Sequence, residues 1–247
     1  MPFKSSKITY GVLQGEYSKD TINAYIEDLK RVLPIAKELV GITFIFEKEV
    51  YDNCNVEEIK AKTPYCVMVK QACQGKGNKS RLEHHKCDGG TTALALEPST
   101  DRIESGQEYF SYNLYRSNAI ARRMRNEIKS LHQYTPITYG MLIQPLKECE
   151  HMPDVIIGIV NPYQTMRIVQ GYEYFTGVKP KVDMGAMQAM CSEVTASPYI
   201  TGELNVSVMC PSTRMLCKWE ESDMLVGIPF ELFTKIVEGV IATQPSY

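Results

Sequence analysis

The segment PDVIIGIVNPYQTMRIV, residues 153–169, sets a strand directly before a helix. Val155-Ile156-Ile157-Gly158-Ile159-Val160 has the length and unbroken apolarity of a buried strand. Asn161 can then cap a helix, and Pro162 at the first helical position loses no bonded N–H.

The neighbouring segments repeat this alternation. Ile22, Ile26, Leu29 and Leu33 recur at helical spacing, with Ser18 and Asp20 available as caps, so Thr21 to Leu33 reads as an amphipathic helix. Val40, Ile42, Phe44 and Phe46 fall at every second position, the pattern of a strand with one buried face. Thr63-Pro64 starts another helix, with Thr63 as its cap, and Gly75 and Gly77 end it. Ser117 to Leu131 reads as a helix with Ile120, Met124, Ile128 and Leu131 inward and Arg122, Arg123, Arg125 and Lys129 mostly outward. Leu204, Val206, Val208 and Cys210 alternate as on a strand, and Pro229 opens a helix carrying Phe230, Phe233, Ile236, Val237 and Val240. The class that follows is α/β, with a mixed α+β arrangement also compatible.

Thr63-Pro64-Tyr65-Cys66-Val67-Met68 echoes Asn161-Pro162-Tyr163-Gln164-Thr165-Met166 as cap, proline, tyrosine, two residues and methionine. A cysteine follows each motif some way on. An ancient duplication would give this, with two similar intertwined halves, each built as strand, helix and cysteine loop. On that expectation residues 1–247 form a single domain, with half-repeats at 35–98 and 136–247 and a helical insertion at 99–135. Tyr65 and Tyr163 would then occupy equivalent positions near the site.

The net charge of −2 argues against a nucleic-acid partner. MPFKSSKITYGVLQG at the start carries no apolar run of signal-peptide length, and nowhere do about 18 apolar residues follow one another, so the expectation is a cytoplasmic protein without a membrane partner. Eight cysteines are many for such a chain, and a reducing compartment makes a disulfide framework a poor explanation.

Cys66 and Cys73 lie seven apart on one helical face. Cys87 precedes Gly89-Gly90, where missing side chains let backbone approach a bulky group and offer it N–H donors. Cys191 and Cys210 stand at element ends, close to Met184, Met187 and Met190 in the first case and to Pro211 in the second. Four thiolates are the usual complement of an iron-sulfur cubane or a structural zinc, but no C-x-x-C pair or ferredoxin-type run fixes the ligands. By spacing alone, buried inert thiols remain the default for all eight.

PDVIIGIVNPYQTMRIV, then AMCSEVTASPYITGELNVSVMCPSTR, then an acidic segment leading to VGIPF resemble the domain-of-unknown-function 169 family. YCVMVKQACQG and KCDGGTTALAL agree more loosely, so the resemblance spans roughly residues 35 to 240. It implies that Cys66, Cys87, Cys191 and Cys210 stand where cysteines recur in the family, and leaves Cys54, Cys73, Cys149 and Cys217 without a role. The chain departs from the family at Thr213, where a second cysteine often precedes the arginine, and at Cys73, where arginine is common.

The expectation built on those four positions is one iron-sulfur cluster, of the 4Fe-4S type, bound by Cys66, Cys87, Cys191 and Cys210 between the two halves. It would serve electron transfer or reduction of a bound small molecule under anaerobic conditions, in a redox enzyme or accessory protein with a redox partner protein or small molecule. Gly89 and Gly90 would approach the cofactor, and Arg214 would orient an anionic ligand beside Cys210, unless it pairs with Glu220 or Asp223. Two rivals stand beside this. One is a thiolate-bound zinc, structural or carried, with His84 or His85 replacing a sulfur. The other is a metal-free module for a small molecule or tetrapyrrole, walled by Tyr109 to Tyr115 and the methionines. Neither a G-x-S-x-G elbow nor a phosphate-binding glycine loop is present. A homo-oligomer is compatible with all of these.

Overall fold

The first helix forms as its spacing predicts. In a computed structural model, which describes residues 18–243, helix α1 (Lys19–Val32) buries Ile22, Ile26 and Leu29, and Ser18 Oγ accepts a hydrogen bond from Thr21 N at 3.3 Å. The N-terminal stretch read for a leader lies outside the described residues. Strand β1 (Val40–Ile45) follows, and both its faces are buried rather than one. The alternation survives as a division of apolar residues between two cores: Val40, Ile42 and Phe44 face one, and Ile45 faces away from it.

After the short helix α2 (Lys48–Asn53), helix α3 (Tyr65–Cys73) begins one residue later than expected. Pro64 takes the cap position, because Thr63 is held in a bridge to His85 and its hydroxyl donates to Ala61 O. Strand β2 (Asn78–Arg81) and helices α4 (Asp88–Ala93), α5 (Asp101–Glu104), α6 (Gln107–Ser111) and α7 (Asn118–Glu127) come next. In α7 the inward face is turned from the expected one: Ala121 and Arg125 are buried while Ile120 is exposed. Burial of Arg125 is offset by its bonds to Glu104 Oε1 at 2.7 Å and Ile128 O at 3.2 Å. These helices pack on a small core of their own around Ile103, Tyr109, Ala121, Ile128 and Met187.

Strands β3 (Gly140–Pro145) and β4 (Val155–Val160) lead into helix α8 (Pro162–Thr176). Asn161 caps α8 as predicted, in a reciprocal box: its Oδ1 accepts from Gln164 N at 2.8 Å, and Gln164 Oε1 accepts from Asn161 N at 2.9 Å. Eight residues of π-helix, Ala189–Ala196, run into α9 (Ser197–Thr201). The strand expected over 204–210 is only β5 (Asn205–Ser207), since Met209 adopts a left-handed conformation with φ 73° and turns the chain into α10 (Pro211–Cys217). Strand β6 (Met224–Pro229) and α11 (Phe230–Ala242), opened at Pro229, complete the fold.

The six strands form one sheet in the order β2-β3-β1-β4-β6-β5, antiparallel at every pairing, with Val40 opposite both Pro145 and Ile157. The molecule is a mixed α/β protein in three layers. One sheet face carries α1, α8 and α11; the other carries α3, α4, the π-helix and α10. Coverage on both sides explains why Val155 to Val160 reads as a continuous apolar run in an antiparallel strand. The two echoed motifs therefore start helices on opposite faces, and Tyr65 is buried while Tyr163 is 56% exposed. They do not occupy equivalent surroundings.

Helices α8 and α11 meet through glycine: a Cβ on Gly171 would lie 2.4 Å from Ile236 O, and one on Gly239 would lie 2.4 Å from Gly171 O. Gly171→Ala must push the helices apart, and equilibrium urea unfolding is expected to show a loss of about 2 kcal/mol or more. An unchanged unfolding midpoint would mean that the two helices are free to separate.

Candidate functional site

The four short segments on the second sheet face begin around one space. Cys66 sits in the first turn of α3, Cys87 immediately before α4, Cys191 in the first turn of the π-helix, and Cys210 immediately before α10. All four line a single cavity of about 550 Å³, together with Gly89 and Gly90 of α4. Tyr109, Tyr112 and Leu114 form one apolar wall, and Met187 and Met190 another, while Lys62 and Lys86 stand exposed at the rim.

Two segments reach the cavity through uncommon backbone. Gln188, just before the π-helix, has φ 52°, and Met209, just before Cys210, has φ 73°. Such conformations cost on the order of 1–3 kcal/mol for residues with a side chain and persist where the surroundings enforce them. Gln188 is held by its side-chain amide, which donates to Tyr109 Oη at 2.6 Å, and Met209 by burial and by its N–H to Ser207 Oγ at 3.1 Å. Gly89 is closely approached here: a Cβ on it would lie 2.6 Å from Gln188 Nε2 and would displace that amide. Gly90 has room, its added Cβ meeting Cys87 only at ordinary contact distance.

Cys66, Cys87 and Cys191 disfavour their charged forms. Burial pushes Cys191 well above the ordinary thiol range, and the proximity of Cys87, Cys210 and Cys66 adds to it. Cys66 is pushed up by its hydrogen bond to Cys217 and by burial. Cys87 is raised by burial, partly offset by the N–H groups of Gly90 and Gly89. That thiol touches solvent across the cavity mouth although protein surrounds it closely, so it is the accessible member of the set. Cys210 Sγ lies 3.1 Å from Thr213 Oγ1, and the same hydroxyl hydrogen-bonds Cys66.

Several expected participants lie elsewhere. Arg214 does not line the cavity; its guanidinium donates to the carbonyls of Glu220 (2.8 Å), Val208 (2.9 Å) and Asp223 (2.8 Å), clamping backbone rather than an anion or a carboxylate. His85 is buried against Ser80, with Nε2 3.1 Å from its hydroxyl, and stacks on Tyr65, while His84 Nδ1 accepts from Arg81 N. Neither histidine lines the cavity. Cys73 at the far end of α3 and Cys149 beneath Gly41 are core thiols, each raised to about 12, chiefly by burial. Cys54 Sγ donates to Val50 O on the opposite face of the sheet.

Three site residues were not singled out by sequence. Cys217 packs against Cys66, Gln188 joins the π-helix to Tyr109, and Glu108 lines the cavity, bonded to Arg102 and Tyr112. Only Cys217 had a usable signal, since its spacing of seven from Cys210 puts both on one face of a helix opened by Pro211. Among the described residues, no three His, Cys, Asp or Glu side chains close around a point that could hold a single metal ion. No described helix is long and apolar enough to cross a membrane.

A six-stranded antiparallel sheet between two helical layers, with four cysteines around one cavity, defines the class of protein this is. The chain belongs to the domain-of-unknown-function 169 family, described as uncharacterised ArCR, whose sequence model matches residues 28–239. It is similar to an uncharacterised protein of Methanocaldococcus jannaschii, with 22% identity over 224 residues covering 89% of this chain and 94% of the relative. No solved structure matches the chain.

The geometry orders the thiols by reactivity. With iodoacetamide on the native protein, Cys87 is expected to be alkylated first, at a rate rising about tenfold per pH unit below its raised pKa, because only the thiolate reacts. Cys73 and Cys149 should stay unmodified until the protein unfolds. Early labelling of either in a peptide map would contradict this arrangement of the core.

Proposed function

We propose that the cavity binds an iron-sulfur cluster, of the 4Fe-4S type, through Cys66, Cys87, Cys191 and Cys210, and that the protein works in electron transfer or in reducing a small molecule held beside it. The observation that carries this reading is the convergence of four thiols, from four separate segments, on one cavity. Soft sulfur donors select iron-sulfur clusters, zinc or copper(I) over hard cations. A mononuclear zinc needs its sulfurs about 2.3 Å from one point, and the described side chains do not close in that way. A cluster carries one cysteine on each of four irons and so suits ligands spread around a larger space. When bound, such a group supplies one-electron transfer.

The chain's own residues have three tasks under this reading. The four cysteines would bind as thiolates and so release protons on loading, against the burial that disfavours the charged form at Cys87 and Cys191 and the Cys217 contact and burial that disfavour it at Cys66. The Gly89 and Gly90 N–H groups, which already favour the charged form of Cys87, would go on donating to its sulfur. Tyr109, Tyr112, Leu114, Met187 and Met190 exclude water from one side and leave an apolar surface for a small molecule. Arg214 and the histidines have no part in it.

That apolar wall also favours a second reading, a metal-free pocket for a small molecule or tetrapyrrole. One experiment separates the two. Protein purified and reconstituted without oxygen is expected to be brown, with matched iron and sulfide, and Cys87→Ala and Cys191→Ala are expected to lose the colour while Cys73→Ala keeps it. A colourless, iron-free protein after reconstitution would eliminate the cluster, and bound zinc in that sample would point instead to a thiolate metal carrier.

A further inference from the structure

A fifth thiol stands behind the first. Cys217 closes α10 and is fully buried, outside the cavity lining, whereas Cys66 reaches the cavity surface. The Cys217 sulfur donates to Cys66 O at 3.3 Å, which seats it beside the Cys66 side chain. The helices carrying them are fixed together: Lys70 Nζ on α3 donates to Cys217 O at 2.6 Å, and Thr213 on α10 bonds the Cys66 thiol. Cys217 is therefore the sulfur placed to join it.

We infer that Cys66 and Cys217 form a reversible disulfide when a hydroperoxide enters the cavity and no metal holds Cys66, and that this bond closes the site by withdrawing one of its four sulfurs. The second half of that statement rests on the proposed four-cysteine site; the disulfide itself does not. The Cys66 thiol gives up its proton as its sulfur attacks the terminal peroxide oxygen; the O–O bond breaks, the leaving oxygen takes that proton and departs as an alcohol or water, and Cys66 becomes a sulfenic acid. The Cys217 sulfur then attacks the Cys66 sulfur. The S–S bond forms, the sulfenic oxygen departs as water, and two electrons have passed from the two thiols to the peroxide. A dithiol reverses the change. Bonding requires the two sulfurs to close to about 2.0 Å.

The pairing differs from a structural disulfide in its purpose. Disulfides inside cells are usually transient and redox-sensing, and this one would lock two segments separated by 151 residues of chain. Linking them constrains the unfolded chain strongly, so the oxidised form should be the more heat-stable one.

The test uses the full chain, depleted of metal and treated with a small excess of hydrogen peroxide. Peptide mapping by mass spectrometry without reduction is expected to find Cys66 joined to Cys217, removable by dithiothreitol. The melting temperature is expected to rise by about 5–10 °C on oxidation. Neither change should occur in Cys217→Ser, and the wild-type peptide map decides the pairing even if that variant folds poorly. Cys66 joined to a different cysteine, or Cys217 still free while Cys66 is oxidised, would overturn the inference. Anaerobic reconstitution of the oxidised sample should take up no iron until dithiothreitol is added. Full uptake with the disulfide intact would establish the bond yet refute its gating, and Cys66 as a ligand with it.

Discussion

The sheet is covered on both faces, and everything else is arranged around that constraint. An antiparallel sheet can leave one face to water, but here the central strands bury residues of both parities, so two helical layers are needed. One layer is regular. In it α1, α8 and α11 lie along the sheet, with α8 and α11 close enough at Gly171 and Gly239 to exclude any side chain. The other layer is broken into α3, α4, a π-helix and α10, none longer than 9 residues. Short helices have proportionately more ends, and it is their ends that meet around the cavity.

That broken layer is also where the molecule departs from ordinary backbone. Gln188 and Met209 take left-handed conformations just ahead of the two C-terminal cysteines, and the π-helix that carries Cys191 runs for eight residues. Single-turn π-bulges are the usual form, often at functional sites, so a run of this length is unusual. Burial at Cys87 and Cys191, and the Cys217 contact together with burial at Cys66, then make those sulfurs poor hosts for negative charge. Neither the strained turns nor the crowded thiols help the sheet to fold. Their common location argues that the layer is shaped for the cavity.

The regular layer was legible in the sequence because periodicity reports burial. Ser18, Asn161-Pro162 and Pro229 marked helix starts through capping chemistry, and the apolar positions of α1 and α11 gave their buried faces. The irregular layer was less so. Thr63 reads as a cap although a bridge to His85 holds it, and the run from Leu204 to Cys210 reads as a strand that Met209 cuts short, because a positive φ leaves no mark in side-chain alternation. In α7 a buried Arg125 replaced an apolar residue on the inward face, and no periodicity count anticipates an arginine partnered by Glu104 and a carbonyl. Of the site, the four cysteines came from family resemblance and lie together in the cavity. Sequence proximity to a cysteine does not say where a side chain finds its partners: Arg214 turns to three carbonyls, and neither His84 nor His85 lines the cavity.

The cavity draws its sulfurs from positions 66, 87, 191 and 210, with β3, β4 and α8 intervening between the second and third. No stretch emerging early in synthesis contains a usable half of it. Cys66 and Cys87 leave the ribosome long before the segments that complete the cavity, and during that interval the two are free thiols on an unfinished sheet whose central partners are still missing. In this topology the distance along the chain therefore acts as a timer: the cavity exists only once the C-terminal strands have closed the fold.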